Sequence, residues 1–91
     1  MYTVKPTVKF SKDLKRVEKR GYRIDLLTAV IKKLAAGEKL DERHKDHPLK
    51  GGYTGCRECH ITPDWLLVYE ITSRELILYL TRTGTHGDLF G

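Results

Sequence analysis

Cysteine is scarce in this chain: only Cys56 and Cys59 occur among 91 residues. Two thiols cannot build the multi-disulfide framework of a small secreted domain. Long hydrophobic runs are absent too. No stretch approaches the roughly 20 apolar residues needed to span a bilayer. The N-terminus, Met1-Tyr2-Thr3-Val4-Lys5-Pro6, lacks the apolar core of a signal peptide. A cytoplasmic protein is therefore expected. Acids are outnumbered: 12 Asp and Glu against 17 Lys and Arg give a net charge of +5 and a pI near 9.3. That balance favours a polyanionic partner, whether nucleic acid, an acidic protein segment or anionic lipid. No internal repeat, low-complexity stretch or linker interrupts the chain. Its length suffices for one core, so one domain is expected over residues 1–91.

The apolar pattern divides the chain. Tyr2 to Val4 is a short β-like start, and Pro6 suits the first turn of a helix. From Val8 to Arg20 the period is helical, with Phe10, Leu14 and Val17 on one face. Lys9, Lys12, Arg16 and Lys19 lie on the other side. Such a stripe is either a solvated helix exterior or a surface for a polyanion; only Asp13 and Glu18 oppose its sign. Gly21 ends this helix. A second spans about Ile24 to Ala36, with Leu27, Val30, Ile31 and Leu34 at helical spacing, Lys32 and Lys33 in its last turn, and Gly37 as its stop. Glu38 to Gly52 is a polar connection, and a loop this long in so small a domain is often functional. Strands are expected over Tyr53–Ile61, Trp65–Ile71 and Glu75–Thr81, joined by tight turns at Thr62-Pro63-Asp64 and Thr72-Ser73-Arg74. The pattern is α+β: two N-terminal helices on one face of a small antiparallel sheet, the other face being left for a ligand.

Chemistry-bearing residues lie in the second half. Cys56-x-x-Cys59 with His44-x-x-His47 raises a structural zinc site. On an extended strand, however, positions 56 and 59 point to opposite faces, so two small half-buried cysteines are the preferred reading. Glu58 and His60 share the face of Cys56. His60 ends its strand beside Asp64 and Trp65, which shifts a lone strand-end histidine toward a site. His47 precedes Pro48, which holds its backbone extended. The C-terminal run Thr81-Arg82-Thr83-Gly84-Thr85-His86-Gly87-Asp88-Leu89-Phe90-Gly91 puts a cation, a titratable base and an aromatic ring on a glycine-jointed tail. Histidine titrates near neutrality, and two histidines or a histidine and an aspartate can act as an acid–base pair. Arg82 could grip a phosphate in forked geometry. Trp65 and Phe90 could stack on a splayed base, although Phe90 could equally anchor the C-terminus to the core. This set suits RNA cleavage through the neighbouring 2′-hydroxyl, which needs a base, an acid and a cation but no metal.

Four stretches then carry a resemblance: Lys45-Asp46-His47-Pro48-Leu49, Arg57-Glu58-Cys59-His60, Pro63-Asp64-Trp65-Leu66-Leu67-Val68-Tyr69, and Arg82-Thr83-Gly84-Thr85-His86 with Leu89-Phe90-Gly91. Together they resemble the YafQ-type branch of the RelE/ParE toxin superfamily, as does the early Phe10-Ser11-Lys12-Asp13-Leu14-Lys15. The resemblance implies a small α+β ribonuclease that enters the ribosomal A site and cuts translated mRNA. It implies acid–base roles for His47, Asp64 and His86, and phosphate binding by Arg82. Phe90 and Trp65 would position the base, and His60 would support the site. It further implies a cognate antitoxin, with operator DNA bound only through the antitoxin complex, no cofactor or metal, and no membrane partner. The basic positions Lys9, Lys12, Arg16, Lys19, Lys45 and Lys50 would contact ribosomal RNA. His44 and Cys59 fall outside the family pattern and receive no catalytic role. Two other readings stand beside this one: a catalytically silent RNA-binding or gyrase-inhibiting module of the same superfamily, and a zinc-stabilised interaction domain.

Overall fold

The computed structural model describes residues 1–91. Strand β1 spans Thr3–Pro6, α1 Val8–Lys19, α2 Ile24–Ala35, β2 His47–Pro48, β3 Arg57–Thr62, β4 Trp65–Thr72, β5 Ile77–Gly84 and α3 His86–Phe90; single 3-10 turns occupy Glu42–His44 and Gly51–Tyr53. The helical periods at Val8–Arg20 and Ile24–Ala36 thus end within a residue of the expected places. Pro6 does not open a helix. It closes β1 at the sheet edge, where a missing N–H is tolerated, and Thr7 caps α1 by accepting from the Phe10 amide at 3.0 Å.

The sheet order is β1-β5-β4-β3-β2. The expected meander β3-β4-β5 is antiparallel, but β1 runs parallel to β5, so the sheet is mixed rather than wholly antiparallel. The crossover from β1 to β5 spans most of the chain, beyond the reach of turn-length arguments. The polar loop 38–52 also holds more structure than its composition suggests. Its His47-Pro48 pair forms β2 against β3. The first long strand begins at Arg57, not Tyr53, because Gly51–Tyr53 turn and the Cys56 amide donates back to the Tyr53 carbonyl.

Phe10 and Val17 of α1 share one core cluster with Leu27, Val30 and Leu34 of α2 and with Cys59, Ile61, Trp65, Leu67, Tyr69, Leu78 and Leu80 of the sheet. Burying a side chain such as Leu67 completely contributes about 1.5–3 kcal/mol. Leu66 and Val68, which alternate with those residues along β4, instead cluster with Leu89 of α3, packed against Leu49, Tyr53 and Cys56. The second sheet face is therefore rimmed by α3 and the 51–53 turn. No helix is long and apolar enough to cross a membrane.

Candidate active site

Strand register gathers one group of side chains on that second face. His47 of β2 lies directly opposite Glu58 of β3, and His60 is two residues further along β3, so all three share a face. Glu58 is 6% exposed. Its Oε1 sits 3.5 Å from His47 Nε2 and 3.7 Å from His60 Nε2. Each ring is held by its other nitrogen: His47 Nδ1 donates to the Lys45 carbonyl at 2.6 Å, and His60 Nδ1 to the Pro63 carbonyl at 3.2 Å. A carbonyl can only accept, so Nδ1 carries the hydrogen and Nε2 of the neutral ring is free to take a proton. Lys45 adopts a left-handed conformation, φ 46°, which turns its carbonyl toward His47.

A second group is anchored on β5. Leu78 and Leu80 point into the helix-side core, and simple alternation would send Arg82 there too. A register shift between Val68 and Tyr69 instead pairs Leu80 with Tyr69 and Arg82 with Val68, carrying Arg82 out of that line; bulges commonly re-aim a side chain in this way. Arg82 Nε and Nη2 then donate to the two carboxylate oxygens of Asp13 at 2.6 and 3.0 Å. Asp13, on the inner side of α1, is 2% exposed and also accepts from the Thr83 amide at 3.2 Å. The Asp13 carboxylate drives the Arg82 pKa above the ordinary guanidinium range, so the cation is permanent. Arg82 Nη1 reaches the Tyr53 hydroxyl at 3.4 Å. The Tyr53 ring meets Phe90 edge-on, centroids 5.6 Å apart, and Phe90 lies 5.0 Å from the His86 ring. His60, Asp64 and His86 line one open depression of about 450 Å³. Phe90 is 39% exposed.

The forked grip expected of Arg82 on a phosphate is taken up within the protein. Asp13 occupies Nε and Nη2, leaving Nη1 as the end toward the site. Trp65 is likewise placed otherwise than expected. It is 2% exposed, sits in the helix-side core edge-on to Tyr22, and donates from Nε1 to Thr83 Oγ1 at 2.9 Å; no face is open for a base. Asp64 is exposed in the β3–β4 turn. Lys9, Lys12 and Lys19 are exposed along α1, and Lys45 and Lys50 flank β2. Arg16 is drawn toward carboxylates, 3.9 Å from Asp13 and 3.8 Å from Asp88.

Cys59 belongs to the helix-side core and Cys56 packs against the other cluster, so the pair does not converge. Burial pushes the Cys59 thiol up to about 12. No group of three or more His, Cys, Asp or Glu side chains is arranged to hold a metal ion. His44 braces the fold, its Nδ1 donating to the His60 carbonyl at 2.7 Å.

Asp13, Tyr53, Glu58 and Asp88 also touch the site residues, without a site role in the motifs above. Asp13 had a signal: it interrupts the apolar stripe between Phe10 and Val17, where a carboxylate needs a buried partner. Asp88 had one too, since Thr85-x-x-Asp88 has the spacing of a capping box. Glu58 had only strand parity, which puts it on the face of His60, and Tyr53 had none.

Known proteins resemble the chain over nearly its whole length. Residues 2–91 match the family described as a bacterial toxin of type II toxin–antitoxin system, YafQ. The mRNA interferase toxin YafQ of Escherichia coli K12 is 40% identical over 83 residues, covering 90% of this chain and 88% of that protein. The solved E. coli DinJ-YafQ complex matches at 36% identity and a TM-score of 0.91, covering all of both chains. A metal-bound toxin from Helicobacter pylori matches at 48% identity and a TM-score of 0.93, over 99% of this chain and all of that one.

Proposed function

The chain belongs to the YafQ family of toxins from type II toxin–antitoxin systems, and we propose that it is an mRNA interferase. Its whole length, 1–91, acts as one toxin domain that cuts translated mRNA in the ribosomal A site, in the cytoplasm. The observation that carries this reading is the convergence of His60, Asp64 and His86 on one depression, with Arg82 and Phe90 linked through Tyr53. In cleavage through the 2′-hydroxyl, a base among His47, Asp64 and His86 takes the hydroxyl proton. The oxygen attacks phosphorus, and the leaving 5′-oxygen takes a proton from an acid of the same set. The products are a 2′,3′-cyclic phosphate and a 5′-hydroxyl. Arg82 Nη1 stabilises the charge that builds on the phosphoryl oxygens. Phe90 offers the exposed ring against which a base can stack, and His60 supports the site from β3. The chain itself supplies acid, base and cation, so the proposed chemistry calls for no metal.

The YafQ of E. coli is solved with DinJ. By analogy this toxin is held silent by a cognate antitoxin, and reaches operator DNA only in that complex. The test is primer extension on an mRNA translated in a purified system, with and without ribosomes. Wild-type protein is expected to cut only translated message. His86→Ala is expected to cut on the order of 10²–10⁴-fold more slowly. Undiminished cutting by His86→Ala would remove that residue from the chemistry, and absence of cutting by wild type would overturn the assignment.

A further inference from the structure

His86 and Phe90 ride on a helix that cannot hold itself. Five residues, His86–Phe90, are far fewer than an isolated helix needs in water. The His86 side chain makes no hydrogen bond within the protein, and among α3 residues only Leu89 is buried. Something else must therefore fix where the two rings sit. Four residues apart, they share one side of α3 and touch at 5.0 Å. Asp88, two residues from each, projects from another side.

There Asp88 is tied on two fronts. Its Oδ2 accepts from the Thr85 amide at 2.9 Å while the Thr85 hydroxyl accepts from the Asp88 amide at 3.1 Å, completing a capping box. Arg20, just beyond the end of α1, forks onto the same carboxylate, Nη1 to Oδ2 at 2.6 Å and Nη2 to Oδ1 at 3.0 Å. Arg16 adds charge at 3.8 Å. Gly84 leaves room for this: a Cβ there would lie 2.9 Å from Asp88 Oδ2, and φ is +151°.

We infer that Asp88, clamped by Arg20, is a positioning residue that sets the place of His86 and Phe90 in the site. The inference rests on the proposed nuclease reading for its effect on rate, but not for its effect on structure. It assigns Arg20 an internal partner in place of the RNA phosphate that its basic surroundings suggest. Asp88→Asn keeps an oxygen to cap Thr85 and loses the charged fork; Arg20→Ala loses the fork and keeps the cap.

The test is a double-mutant cycle read as separate kcat and KM in ribosome-dependent cleavage. Each single variant is expected to lower kcat on the order of 10–100-fold, the scale of a reacting group displaced by about 1 Å, with KM little changed. The double variant should fall no further than the singles. Independent losses that multiply would overturn the clamp. So would an Arg20→Ala effect confined to KM and to the salt dependence, the signature of a phosphate contact. Amide exchange gives a readout that needs no activity. The Leu89 and Gly91 amides, which donate to the Thr85 and Gly87 carbonyls, should exchange faster in both variants, with the Tm of the whole domain nearly unchanged. Unaltered exchange would overturn the clamp even if the wild type proved to cut no RNA.

Discussion

Asp13 shows how a single side chain joins stability to the site. A carboxylate at 2% exposure is costly unless it is paired and hydrogen-bonded, and here Arg82 and the Thr83 amide do both. Asp13→Ala should therefore destabilise the protein by about 3 kcal/mol, the scale of breaking a buried pair, as read by urea unfolding. It should also slow cleavage, because Arg82 loses its anchor. A stable variant with normal cleavage would separate the pair from the site. Trp65 gives the opposite expectation. With its ring in the core and Nε1 on Thr83 Oγ1, Trp65→Phe should cost about 1–2 kcal/mol through the orphaned hydrogen bond while kcat stays within about twofold. A large kcat loss in properly folded protein would restore the stacking role that the sequence suggested. At this scale the candidate site residues could be picked out as motifs, but their orientation could not. Strand parity placed Glu58 and His60 on one face correctly, yet the Val68/Tyr69 register shift that redirects Arg82 depends on pairing with a neighbouring strand. Trp65 beside Asp64 looked exposed only because a turn precedes it.

Among elements, α3 was the least expected. A chain end is normally frayed, yet Thr85, Asp88 and Arg20 order this one. Arg20 lies 68 residues upstream of Asp88, and no local pattern announces such a partner. The two long helices, by contrast, were legible almost to the residue because periodicity and stop signals are local. Asp88 should make the order of α3 dependent on pH. The Arg20 fork, first among its causes, holds the Asp88 carboxyl well below the usual carboxylate range. A depressed folded-state pKa means that the stabilisation is present above the unfolded carboxylate value, about 3.9, and is lost as pH falls below it. Asp88→Asn should thus differ from wild type in Leu89 amide protection at pH 6–7, and the difference should shrink as pH is lowered below about 4. A gap that stays constant with pH would mean that the fork contributes nothing. Gly84→Ala should loosen the same element from the other side, since its new Cβ would press on Asp88.

Across the whole molecule, the net charge of +5 is less evenly available than a count suggests. Arg16, Arg20 and Arg82 are engaged by Asp13 and Asp88, so the charges of these three arginines are partly matched within the fold. Lys9, Lys12 and Lys19 remain exposed along α1 and take part in no ion pair, as do Lys45 and Lys50 beside β2. If these lysines meet ribosomal RNA, each contact releases counterions, and binding weakens linearly in log salt. Replacing one such lysine with alanine should reduce the slope of log K against log salt by about 1, and weaken association for every message alike. Arg16→Ala should change the slope less, because its charge is already partly matched by Asp13 and Asp88. Ribosome binding measured for both kinds of variant across a salt series decides the matter. Equal slopes in wild type, Lys12→Ala and Arg16→Ala would mean that α1 is a solvated exterior, and that the polyanion is met elsewhere on the surface.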